Sequence, residues 1–131
     1  MGKRKGPEAS IEESVRREAE AAGFLFWKFT STNRVGVPDR ILVSPWGLVT
    51  FWEFKRPGED LAPRGPQARR AAELTARGAM VVVCDDIDRG AHMLAALATP
   101  EAYEHLLQSL AEKRADDAPR IITAPVPDSR H

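Results

Sequence analysis

The sequence predicts an α/β domain in which a helix, three strands, a second helix and a fourth strand build one mixed sheet covered by helices. Three observations point there. Short runs of β-branched, aromatic and apolar residues alternate with segments of helical periodicity. Glycine and proline clusters separate them. The two central strands carry apolar residues on both faces, Ile41, Val43, Val49 and Phe51 on one and Leu42, Leu48, Trp52 and Phe54 on the other, so each face needs a layer of helix. With 131 residues and 43% hydrophobic content, a single compact domain is expected.

The first helix is expected from about Ile11 to Ala22, after a basic leader over residues 1–9. Ser10 and Glu13 form an S-x-x-E capping box at its start, which gives Glu13 a structural task. Its neighbour Glu12 lies at the margin of the apolar stripe Ile11, Val15, Ala19 and Ala22, from which it can point toward the sheet. Gly23 ends the helix and Phe24 to Phe29 forms the first strand. Thr30 to Val37 is a polar loop with Asn33, Arg34 and Gly36, placed to reach a ligand.

Ile41-Leu42-Val43 and Leu48 to Trp52 flank the turn residues Ser44-Pro45-Trp46-Gly47, which predicts an antiparallel hairpin. If the turn centres on Trp46 and no bulge intervenes, Ser44 faces Leu48 and Asp39 faces Glu53. Lys55, two residues beyond Glu53, then shares their face.

Pro57 to Pro66 contains three prolines and two glycines and reads as a loop at the rim of that face. A helix from about Gln67 to Arg77 ends at Gly78, with Gln67, Ala71 and Leu74 on one side. Ala79 to Cys84 is a continuous apolar run, typical of a strand buried on both faces. Asp85, Asp86 and Asp88 are read as helix-capping residues ahead of a helix from Arg89 to Leu97. Thr99-Pro100 starts another, Glu101 to about Lys113, and residues 115–131 are proline-rich, polar and expected to be a disordered tail. The domain plan is thus leader 1–9, core 10–98, C-terminal helix 99–114 and tail 115–131.

Asp39, Glu53 and Lys55 have a chemical logic. Two carboxylates face to face destabilise a sheet unless something compensates them, and a divalent cation would. Hard oxygen donors on rigid strands suit Mg²⁺, or Mn²⁺, which is commonly held by one or two protein carboxylates and several waters. A bound water becomes a nucleophile, and a neighbouring ammonium orients it or stabilises developing negative charge. A surface ion-pair cluster is the bland reading of the same three residues.

Pro38-Asp39, a hairpin-length gap and Glu53-x-Lys55 match the PD-(D/E)xK nuclease signature. The flanking sequence resembles the virus-type replication-repair nuclease (VRR-NUC) domain, in its small stand-alone phage and mobile-element form. The resemblance runs from Ile11-Glu12 through Gly23, Trp27 to Ser31, Gly36 to Arg40, Trp46-Gly47, Phe51 to Gly58 and Gln67, ending near Asp85, more than half the chain. It implies a restriction-endonuclease-like αβββαβ core with additional C-terminal helices. It also implies Glu12, Asp39, Glu53, Lys55 and Gln67 as catalytic residues, with Asp39, Glu53, the Phe54 backbone carbonyl and Glu12 serving the metal. Gln67 would orient a water or hold Lys55; without the resemblance, a helix-end amide bonded to the backbone is the simpler reading.

The formal net charge is zero, but residues 1–78 carry 14 Lys and Arg against 10 Asp and Glu, whereas residues 79–131 carry 5 against 9. The basic half holds the motif, and Lys28, Ser31, Arg34, Arg40 and Arg56 are the expected DNA-contacting residues. The family resemblance implies a Mg²⁺- or Mn²⁺-dependent DNA endonuclease, similar to Holliday-junction resolvases and acting as a homodimer on branched DNA. A flap, end or duplex nuclease of the same fold is the alternative, as is an idle DNA-binding protein. The single Cys84 excludes a disulfide within the chain and reads as a buried thiol. No apolar segment reaches membrane-spanning length, and Met1 to Lys5 lacks a signal peptide's hydrophobic stretch, so a cytoplasmic protein is expected.

Overall fold

The computed structural model describes residues 6–113 and 121–122. Its elements are α1 (Pro7–Ala21), β1 (Leu25–Lys28), β2 (Arg40–Val43), β3 (Val49–Phe54), α2 (Pro66–Thr75), β4 (Met80–Cys84), α3 (Ile87–Leu97), α4 (Pro100–Lys113) and β5 (Ile121–Ile122). The strands lie side by side in chain order. β1, β2 and β3 form an antiparallel meander, β4 joins β3 in parallel after the α2 crossover, and β5 closes the far edge antiparallel to β4. The expected αβββαβ order and mixed sheet are therefore present. β5 adds two residues of strand inside the segment read as a disordered tail, whose remainder, like residues 1–5 of the leader, lies outside the described residues.

The start of α1 corrects the sequence reading. Helix begins at Pro7, preceded by Gly6 at the cap position, with no side-chain cap. Proline at the first helical position lacks only an N–H that would be unpaired there, so Pro7 initiates the helix one turn before Ser10. Ser10 and Glu13 are interior residues, and Glu13 pairs with Arg16 and Arg17 instead of closing a capping box. At α3 and α4 the expected caps are present: Asp86 accepts from the Arg89 N–H at 2.9 Å, and Thr99 Oγ1 from the Ala102 N–H at 3.1 Å.

One face of the sheet carries the main core. Leu42, Trp52 and Phe54 with Met80, Val82 and Cys84 pack against Ile11, Val15 and Ala19 of α1 and Leu94 and Leu97 of α3, with Tyr103, Leu106 and Leu107 of α4 at the margin. Val81 and Val83 point the other way, are equally buried, and meet α2, which is anchored by Ala71. Coverage of that second face is incomplete. α2 is ten residues long and lies over β4, so Leu25, Trp27 and Val49 remain 46%, 58% and 46% exposed.

Where α1 crosses α3, Gly90 allows contact no side chain would permit. A Cβ there would lie 2.7 Å from Val15 Cγ2 and 3.1 Å from Cys84 Sγ. Despite alanine's better helix propensity, Gly90→Ala is expected to lower the urea midpoint by an amount equivalent to about 1–3 kcal/mol. Adding Val15→Ala should return part of that loss. Strictly additive costs for the two substitutions would show that the crossing does not depend on this contact.

Candidate active site

The site is built by the hairpin. Ser44 N donates to Leu48 O at 2.9 Å and Gly47 N to Ser44 O at 2.9 Å, with Gly47 at φ +97°, giving a three-residue turn that ends on a left-handed glycine. Arg40 then pairs with Trp52, Ile41 with Phe51, Leu42 with Thr50 and Val43 with Val49. This is the register expected with Trp46 at the centre, and carried one residue further it sets Asp39 opposite Glu53. On the turn's other side, Trp46 Nε1 donates to Leu97 O at 2.9 Å and its ring packs 5.7 Å from Tyr103, holding the hairpin tip against α3 and α4.

Gln67 joins the two residues of the Glu53-x-Lys55 pair. Its Nε2 donates to Glu53 Oε2 at 2.9 Å, and its Oε1 accepts from Lys55 Nζ at 2.8 Å. A single amide thus orients a carboxylate and an ammonium that β3 alone would only place on one face. Burial, and secondarily the Asp39 charge, push Glu53 up from its ordinary 4.5 to about 7, with Lys55 opposing the shift. The through-space action of Asp39 on Glu53 is what two carboxylates at one end of a hairpin should produce.

Glu12 reaches from α1 to the end of the sheet, as expected, and meets a base there. Its Oε2 accepts from Arg40 Nε at 2.6 Å, and the same guanidinium reaches Asp39 Oδ1 through Nη1 at 2.9 Å. Arg40 lies between them, 13% exposed. Among the described residues no three His, Cys, Asp or Glu side chains converge as a metal-ligand set, and the Glu12 carboxylate is engaged by Arg40. Arg40, expected on DNA, is likewise committed within the protein. The physical reason is strand alternation: Arg40 points to the α1 face and Asp39 to the other, and only a long guanidinium spans the strand end.

Lys28, Arg34 and Arg56 are exposed and Ser31 is half-buried. Ser31 and Arg34 sit on the β1–β2 loop facing α2, whereas Lys28 pairs with Arg40 across β1 and β2. The rim loop is pinned where Gly58 N donates to Asp85 Oδ2 at 2.8 Å, while Asp85 Oδ1 pairs with Arg89. Asp85 is therefore a buried anchor. Sequence reasoning missed Glu8, whose charge also raises Glu53. Its signal was Pro7 as a helix start, which would have put Glu8 one turn before Glu12 on the same side of α1.

The residues fit a divalent cation. Asp39 and Glu53 supply two oxygen-donor carboxylates whose mutual repulsion no neighbouring base fully offsets, which is the number Mg²⁺ commonly takes from protein.

No family model matches the chain. A phage protein does: "Putative nuclease p44" of Acyrthosiphon pisum secondary endosymbiont phage 1 is 42% identical over 81 residues, spanning 62% of this chain and 85% of that protein. A solved structure described as a VRR_NUC domain superposes with a TM-score of 0.63 at 25% identity, covering 70% of this chain and 97% of its own. The chain belongs to the VRR-NUC nuclease family. In this VRR-NUC protein the hairpin and α2 bring Glu53, Lys55 and Gln67 into one hydrogen-bonded group beside Asp39.

Glu53 gives the site a pH signature. A carboxyl raised from 4.5 to about 7 holds more protons folded than unfolded between those values, so stability falls as pH rises through that window. Glu53→Gln should accordingly melt a few degrees above wild type in EDTA at pH 8, with the advantage gone below pH 4.5. Equal melting temperatures at pH 8 would contradict it.

Proposed function

We propose that this VRR-NUC protein is a Mg²⁺- or Mn²⁺-dependent DNA endonuclease that hydrolyses phosphodiester bonds, with branched DNA of the Holliday-junction type as its substrate. The observation that carries this reading is the Gln67 amide joining Glu53 and Lys55 opposite Asp39, on a scaffold shared with a nuclease family.

Asp39 and Glu53 would hold the cation, with the Phe54 carbonyl between Glu53 and Lys55 as a further oxygen donor. When bound, it supplies Lewis-acid stabilisation of phosphate charge and a lowered pKa for water. The chain's own residues do the rest. Gln67 holds the Glu53 carboxylate in one orientation and keeps Lys55 Nζ beside it, where the ammonium can meet the attacking water or the negative charge that develops on the phosphate. Arg40 fixes Asp39 from behind, and Glu12 acts through Arg40, as a positioning residue.

Paired cuts across a four-way junction need two active sites, which a homodimer provides. The exposed Leu25 and Trp27 of the sheet-edge strand β1 are residues such an association would cover. Among the described residues no helix is long and apolar enough to cross a membrane, consistent with a substrate met in solution.

The test is cleavage of a panel of junction, flap, nicked and linear DNA over a Mg²⁺ and Mn²⁺ titration. Junction cutting that requires the metal is expected, with Asp39→Ala reduced roughly a hundredfold or more and Gln67→Ala roughly 10- to 100-fold. Full activity in Asp39→Ala, or no metal-dependent cleavage of any substrate, would overturn the assignment. Cutting of flaps or linear duplex in preference to junctions would overturn its substrate.

A further inference from the structure

A second feature adjoins the site and is made by α2. Gly36, at φ +90°, brings the β1–β2 loop against the start of that helix: a Cβ on it would lie 2.5 Å from Pro66 C and 2.7 Å from Gln67 N. Loop and helix then wall a cleft of about 570 Å³, with Ser31, Arg34 and Val37 on one side and Arg70, Glu73, Leu74 and Arg77 on the other.

The cleft is basic. It has three guanidinium groups and one carboxylate. Glu73 Oε2 takes Arg70 Nη2 at 3.3 Å, and Arg77 Nη1 donates to Glu73 O at 2.9 Å. Arg70 is 15% exposed; its Nη2 pairs with Glu73, and its buried Nε has no hydrogen-bond partner among the described residues. Guanidinium forks, exposed on Arg34 and Arg77, match the oxygens of a phosphodiester.

Its position is set by the active site. Val37 is two residues before Asp39, and Arg70 is one helical turn after Gln67. Along α2, Arg70 lies about 4.5 Å beyond Gln67, and Arg77, in the turn two residues past the end of the helix, lies roughly 15 Å beyond it. At roughly 3.4 Å of rise per nucleotide, that distance spans about four nucleotides of a strand leading away from Glu53 and Lys55.

We propose that this cleft is the track for the substrate strand flanking the scissile bond, in which Arg34, Arg70 and Arg77 contact backbone phosphates along that strand while Ser31 and Leu74 line the cleft between them. Glu73 acts against this binding, because its carboxylate occupies a guanidinium that the phosphate would otherwise take. The inference rests on the nuclease reading and adds to it the path of the DNA.

The experiment measures equilibrium binding of junction and duplex DNA across a salt series, with Ca²⁺ replacing Mg²⁺ to hold substrate uncut, alongside cleavage by the unmodified protein in Mg²⁺. Arg77→Gln removes an exposed guanidinium and should weaken binding several-fold and make the plot of log affinity against log salt shallower by about one unit. Glu73→Gln should tighten binding. Arg17→Gln, on α1 and 75% exposed, removes the same charge from the opposite side of the sheet and should change neither quantity. If Arg77→Gln and Glu73→Gln both behave like Arg17→Gln while the unmodified protein binds and cuts DNA, the cleft is not the track. If the unmodified protein neither binds nor cuts, the nuclease reading falls and this inference with it.

Discussion

Every distance in the site depends on the register of one hairpin. A two-stranded ribbon that slipped by a single residue would send Glu53 and Lys55 to the packed face and Trp52 and Phe54 to the open one. Two things prevent the slip. The turn from Ser44 to Leu48 ends on Gly47 in a left-handed conformation, which selects a three-residue loop. Behind it, Leu42, Thr50, Trp52 and Phe54 are almost wholly buried, with Trp52 Nε1 donating to Thr50 Oγ1 at 2.9 Å. Burial of an indole on one face therefore determines where a carboxylate stands on the other.

That arrangement creates an electrostatic problem and solves only part of it. Asp39 has Arg40, held in turn by Glu12. Glu53 has a neutral amide as its hydrogen-bond partner, and it sits where burial and the Asp39 charge both disfavour ionisation. A purely structural site would place a base against Glu53. Here the nearby ammonium, Lys55, bonds instead to the far end of the Gln67 amide. The folded chain thus keeps a half-buried carboxylate short of positive charge, in the place where a cation would supply it.

Much of this was legible in the sequence, and for identifiable reasons. Strands show in β-branched runs, and register shows in turn chemistry, so Asp39 opposite Glu53 followed from local residues alone. Gln67 at the head of an apolar stripe followed from helical spacing, with Ala71 buried beneath it as expected. The helix start did not, because Ser10 and Glu13 imitate a capping box inside a helix that Pro7 begins. The partner of Glu12 was equally hidden: Arg40 is 28 residues away, and no local pattern pairs them. The arginine cleft needed the tertiary fact that Gly36 rests on Pro66. Contacts within an element or across a tight turn are written locally, whereas contacts between a loop and a later helix are not.

The central claim is that Asp39 and Glu53 together form one cation site. Calorimetric titration with Mn²⁺ tests it without any substrate. The account predicts saturable binding that is lost in both Asp39→Asn and Glu53→Gln, in proteins whose circular dichroism matches wild type. Mn²⁺ binding that survives unchanged in either variant would contradict it.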